Sequence, residues 1–173
     1  MRILVYGFEP YLSYKENVTK KVLRKLRIGK NLIKIVFPVY FHKQIFLNKI
    51  RRVNPDIIVG LGQYSRGHKI RIERKAINLK RSGQKEKLKV IAQNKPHHYF
   101  LKMKLNKDAN SWISYNSGDY VCNFSMYVIS DYIRKRKTKY AFIHIPKDYS
   151  INKATRFVEA KLREIQKTAA VMD

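Results

Sequence analysis

The chain is poor in several residue types, and each shortage excludes something. It has one cysteine in 173 residues, which rules out an internal disulfide and any metal site built on several thiolates. Acids are scarce: 12 Asp and Glu stand against 38 Lys and Arg, a formal net charge of +26. No apolar run approaches the roughly 20 residues that cross a bilayer. The N-terminal MRILVYGFEP is broken too early for a secretory leader, so a reducing cytoplasm without membrane attachment is the expectation. With seven glycines, the pair in Gly60-Leu61-Gly62-Gln63 stands out, but it is neither a GxGxxG turn nor a Walker loop. RNA-recognition motifs, zinc fingers, helix-turn-helix patterns, internal repeats and domain linkers are all missing.

What remains is a chain that should fold. Hydrophobic residues make up 45%, and the length fits one domain over 1–173 with a real core. The excess of basic residues predicts some affinity for polyanions. It is spread along the whole chain, which equally describes a solvated surface.

Hydrophobic patterning alternates strand and helix. Arg2–Tyr6, Leu32–Val39, Ile57–Leu61 and Tyr140–Ile145 read as buried strands. Thr19–Arg27, His42–Val53 and Ile151–Lys167 carry helical apolar stripes. Lys69–Leu79 alternates as a strand or hairpin arm, and Trp112–Tyr115 reads as a strand. Lys80–Lys95 is unpatterned and predicts a mobile loop, and His97–Leu105 a short helix. The expected fold class is α/β: a three-layer α/β/α sandwich around a mostly parallel, mixed central sheet.

The stretch Ser114–Tyr127 holds the lone cysteine. Ser117-Gly118-Asp119 is a turn-and-cap signal, and Asp119 is the expected cap of a helix that carries Cys122 in its first turn. A helix N-terminus favours a thiolate. The alternative is a small buried hydrophobe on an apolar helix face. His144 alternates with Ile143 and Ile145 near a strand end, which suits a general base, although a satisfied core histidine has the same pattern. Glu73 is the acid embedded in an apolar-alternating segment. It could orient a histidine, or pair at the strand surface with Arg71, Arg74 or Lys75.

Five segments, in order along the chain, resemble the pyroglutamyl peptidase I (pyrrolidone-carboxylate peptidase) family of cysteine peptidases. They are Gly7-Phe8-Glu9-Pro10-Tyr11; Pro55-Asp56-Ile57-Ile58-Val59 running into Gly62-Gln63; Glu73-Arg74 with Ala76-Ile77-Asn78-Leu79; Ser114-Tyr115 with Gly118 and Val121-Cys122-Asn123; and Phe142-Ile143-His144-Ile145-Pro146. The resemblance implies a cytosolic exopeptidase that removes N-terminal pyroglutamate from peptides. It casts Cys122 as nucleophile, His144 as acid and base, and Glu73 as the orienting carboxylate. Phe8, Tyr11, Gln63 and Tyr120 would line the lactam pocket. It implies no metal or cofactor, peptide substrates as partners, and a symmetric homo-oligomer. The chain departs from the family at Leu12-Ser13, at Asn17-Val18-Thr19, at Tyr64-Ser65-Arg66-Gly67 and in the basic stretch Lys80–Lys89. A divergent or inactive member that binds polyanions through its charge is the alternative expectation.

Overall fold

A computed structural model describes residues 1–11, 14–27, 29, 31–65, 67–83 and 85–170, with side chains to 168. The departures at Leu12, Ser13 and Arg66 lie outside the described residues.

Six strands form the central sheet: β1 (Ile3–Phe8), β2 (Leu32–Phe37), β3 (Ile57–Tyr64), β4 (Ile70–Glu73), β9 (Ser111–Ser114) and β10 (Lys139–Pro146), in the order β2-β1-β3-β10-β4-β9. Pairing is parallel from β2 through β10, antiparallel between β10 and β4, and parallel again between β4 and β9. The central strands β1, β3 and β10 are buried almost end to end, which is why they read as continuous apolar runs rather than alternating ones.

Four helices cover the two faces. Helix α1 (Val18–Lys25) buries Val22 and Leu23 and starts at Asn17, whose Oδ1 accepts the Thr19 N–H at 3.0 Å. Helix α4 (Ile151–Ala170) packs beside it through Ala154, Phe157, Val158 and Leu162. Helix α2 (Lys43–Val53) lies on the other face. It ends where Asn54 turns left-handed at φ +46°, with Pro55 behind it. Its neighbour α3 (Val121–Ile133) is buried on nearly every side. One core packs under α1 and α4 and another under α2 and α3, so the layers are helix, sheet, helix as expected. Each fully buried Ile, Leu or Phe in these cores contributes about 1.5–3 kcal/mol.

The sheet's far side departs from the sequence-based expectation. Lys69–Leu79 is not one arm. After β4 the chain leaves the sheet at Arg74. Then β5 (Lys75–Ile77) pairs with β8 (His98–Phe100), and β6 (Leu79–Lys80) pairs with β7 (Lys89–Val90). The Lys80–Lys95 segment is therefore partly structured, and Asn78 anchors it by two side-chain bonds to Ala92, at 2.8 and 2.9 Å. His97–Leu105 contains strand and irregular backbone, not a helix. Leu101 enters the α2–α3 core and Leu105 the α1–α4 core. Each thus packs into a different layer as the chain passes the sheet. No helix among the described residues is long and apolar enough to cross a membrane.

Candidate active site

Register decides what meets at the carboxyl ends of the parallel strands. Gly62 on β3 faces His144 on β10, His144 faces Arg71 on β4, and Arg71 faces Trp112 on β9. Residues opposite one another share a sheet face. The row beneath runs Gly60, Phe142, Glu73, Ser114. Ile70 and Ile72 point into the α1–α4 core, so Arg71 and Glu73 point to the α3 side, where Cys122 also lies.

His144 is 4% exposed and Glu73 is fully buried. The His144 Nδ1–H donates to Glu73 Oε1 at 2.8 Å, which leaves Nε2 as the free face of the ring. Phe142 and Tyr64 hold the imidazole edge-on, at 5.0 and 6.0 Å between centroids. The free face looks at Cys122. A β-carbon built on Gly62 would stand 2.7 Å from Nε2 and 2.8 Å from the Cys122 sulfur, so the two atoms converge over a residue that has no side chain. Burial alone would lower the His144 pKa. Negative charge on Cys122 and its interaction with the ring, with support from Glu73, outweigh that and raise it to about 9.

Helix α3 presents Cys122 from its first turn. The expected Asp119 cap is not formed. Tyr120 occupies the cap position without a side-chain bond, and Asp119 pairs with Arg81 at 3.2 Å. Gly118, at φ +75°, supplies the left-handed turn just before Asp119. No bond reaches the Val121, Cys122 and Asn123 N–H groups from any described residue, as the start of an uncapped helix requires.

Sequence reasoning gave Asn123 no role of its own. It is fully buried, donates to the Ile77 and Leu79 carbonyls at 2.9 and 2.8 Å, and accepts from the Ile77 N–H at 2.9 Å and from Ser117 at 2.9 Å. These bonds tie the Cys122 turn to the segment that follows Glu73. Beneath them, Ser125 Oγ donates to the Cys122 carbonyl at 2.8 Å and meets the Tyr6 hydroxyl at 3.0 Å, which in turn meets the Tyr140 hydroxyl at 2.6 Å. The signal in the sequence was a polar residue inside an apolar helix, which has no meaning until its partners are known.

Phe8, Tyr11, Gln63, Tyr120, Cys122 and His144 line one cleft of about 350 Å³, and Glu73 stands behind His144. Phe8 forms its base at 1% exposure. Tyr11 and Tyr120 flank the opening, with ring centroids 5.7 Å apart. Burial, and then negative charge at Cys122, push the Tyr11 hydroxyl up to about 12. Gln63 Oε1 accepts the Val18 N–H at 2.8 Å, which leaves its Nε2 to face the cleft and the Tyr11 hydroxyl.

This fold and this constellation define a thiol hydrolase of α/β/α architecture. A pyroglutamyl peptidase family model matches residues 1–158. A pyrrolidone-carboxylate peptidase of Saccharolobus islandicus is 31% identical over 167 aligned residues, covering 84% of this chain and 79% of the relative. Pyrrolidone-carboxylate peptidase 1 of Caldanaerobacter subterraneus is 32% identical, covering 84% and 82%. The crystal structure of pyroglutamyl peptidase I from Bacillus amyloliquefaciens superposes with a TM-score of 0.82 at 23% identity, covering 92% of each chain. A variant pyrrolidone carboxyl peptidase from Pyrococcus furiosus does so at 0.79, covering 95% of this chain and all of the other. The chain belongs to the pyroglutamyl peptidase family.

Proposed function

We propose that this protein hydrolyses the amide bond after an N-terminal pyroglutamate, with Cys122 as nucleophile, His144 as general acid and base, and Glu73 as the residue that orients His144. The observation that carries this is the convergence of the Cys122 sulfur and His144 Nε2 over Gly62, with Nδ1 fixed by Glu73. An imidazolium beside a thiol favours the thiolate. The sulfur attacks the carbonyl carbon that follows the lactam ring, and the oxyanion meets the free N–H groups of the first α3 turn. As the C–N bond breaks, His144 gives its proton to the leaving amine. Water then attacks the thioester, its proton passes to His144, and pyroglutamate and the thiolate are released. Tyr11 and Tyr120 supply flat walls for the ring, Phe8 its base, and Gln63 Nε2 a donor for the lactam carbonyl.

The test is fluorophore release from a pyroglutamyl amide by the wild type, Cys122→Ala and His144→Ala. Loss of activity in both variants supports the assignment. Full activity in Cys122→Ala refutes it.

Four further readings belong to the same proposal. A single domain spans 1–173 and works as a homo-oligomer in the cytoplasm. Exposed Phe100, Trp112 and Tyr115 near the β9 edge support association, and sedimentation measures it. The +26 charge supports weak, sequence-tolerant polyanion binding. RNA titration at low salt that finds no complex removes that last reading.

A further inference from the structure

Arg71 has no part in the mechanism above, yet it lines the same cleft as Cys122 and His144. Its guanidinium carbon sits 4.1 Å from the centre of the Tyr64 ring and 5.2 Å from that of Trp112. Its Nε is buried and has no hydrogen-bond partner. Among the described residues no carboxylate pairs with it, Glu73 included, although Glu73 is two positions along the same strand and keeps its own Oε2 unpartnered. One side of the guanidinium interacts with the Tyr64 hydroxyl as well as its ring, and the unpartnered Nε edge matches a carboxylate.

Its place across the sheet says which part of a substrate it would meet. The ring-binding groups come from the chain after β1 and from the end of β3. The reacting pair stands over Gly62 and His144. Arg71 is one strand further on, opposite His144 and away from Gly62. Neighbouring strands lie about 4.8 Å apart, a little more than the ~3.8 Å between successive α-carbons. A substrate with its ring against Tyr11 and Gln63 puts its leaving amine at His144 and the residue beyond it at Arg71.

We propose that Arg71 is a specificity-determining residue that binds a carboxylate on the leaving side of the substrate. This rests on the proposed peptidase reading. The carboxylate has two sources: the free C-terminus of a pyroglutamyl dipeptide, or an acidic side chain in the residue after pyroglutamate.

Two matched pairs separate them. Pyroglutamyl-glycine against its amide reports the α-carboxylate. Pyroglutamyl-aspartic α-amide against the asparagine analogue reports the side chain. The wild type should favour the acidic member of at least one pair by about tenfold in kcat/KM, a preference that shrinks as salt is raised. Arg71→Gln should erase the preference, and Arg71→Lys should keep part of it. A purely structural Arg71 would lower both members of each pair alike. Equal rates within both pairs in the wild type, or an undiminished preference in a folded Arg71→Gln, overturn the proposal.

A binding readout makes the answer independent of turnover. Trp112 is the chain's one tryptophan, so its fluorescence in Cys122→Ala reports occupancy of Arg71. Acidic peptides should shift it at concentrations about tenfold lower than their amides do, and Arg71→Gln should remove the difference. Equal titrations by acid and amide refute the site. No hydrolysis of any peptide, with the charge-selective titration intact, would refute the peptidase reading and leave the carboxylate site standing.

Discussion

Gly62 and His144 are register partners on β3 and β10, and the glycine's missing side chain is the space in which the imidazole meets the Cys122 sulfur. Gly62→Ala places a methyl group within 2.8 Å of both. It should separate the sulfur from Nε2 by a fraction of an ångström to an ångström. The expected result is a fall in kcat of about 100-fold, with a stability loss of only about 1–3 kcal/mol in denaturant titration. An active Gly62→Ala enzyme would mean that the pair does not react across this gap.

Glu73→Gln keeps the shape and removes the charge. The amide can offer Nδ1 either an acceptor or a donor, so the imidazole loses its fixed tautomer, and kcat should fall about 10²–10⁴-fold. Two of the influences that raise the His144 pKa come from Glu73, so that pKa should drop. Imidazole NMR titration reads the change directly.

Activity and stability should both fade on the alkaline side, for one reason. The His144 pKa is raised from 6.5 to about 9 by folding. Between these values the folded chain holds a proton that the unfolded chain has released. The stabilisation is complete below pH 6.5 and is lost as pH rises through about 9. The same deprotonation would remove the proton proposed for the leaving amine, so kcat/KM should decline above pH 9. Cys122→Ala deletes the largest raising influence and should flatten the stability profile, which thermal melts across pH 6 to 10 would reveal.

Asn123→Ala should cost about 2–4 kcal/mol, because it strands the part-buried Ile77 N–H and two carbonyls. If the asparagine positions the nucleophile as well as the fold, kcat will fall more than KM rises. A variant with unchanged kcat would reduce Asn123 to a packing residue.

Much of this was legible in the sequence, because its parts are local. Buried parallel strands read as RILVY or IIVGL without further context, and helix α2 announces its end with Asn54-Pro55. Cys122, His144 and Glu73 could be singled out as scarce polar groups in apolar surroundings. Their convergence could not be read that way, since it depends on a register between strands some 70 residues apart. Gly62 gains its meaning from that register. Residue type alone suggests Asp119 as the helix cap, but its carboxylate pairs with Arg81 instead. The expected helix over His97–Leu105 fails because Leu101 and Leu105 pack into two different cores, which the sequence does not distinguish.

The single reversal of direction in the sheet has a consequence for how this site could diverge. Because β4 runs against β10, three residues take the chain from the solvent-facing rim at Arg71 down to the dry interior at Glu73. The group that would greet the substrate and the group that would steer the imidazole are held by one strand, yet they sit in media of different polarity and share no bond. Drift at the rim can retune which peptides are accepted while the buried carboxylate is left untouched. The strand thus keeps apart the position that would set peptide preference from the one that would hold the imidazole.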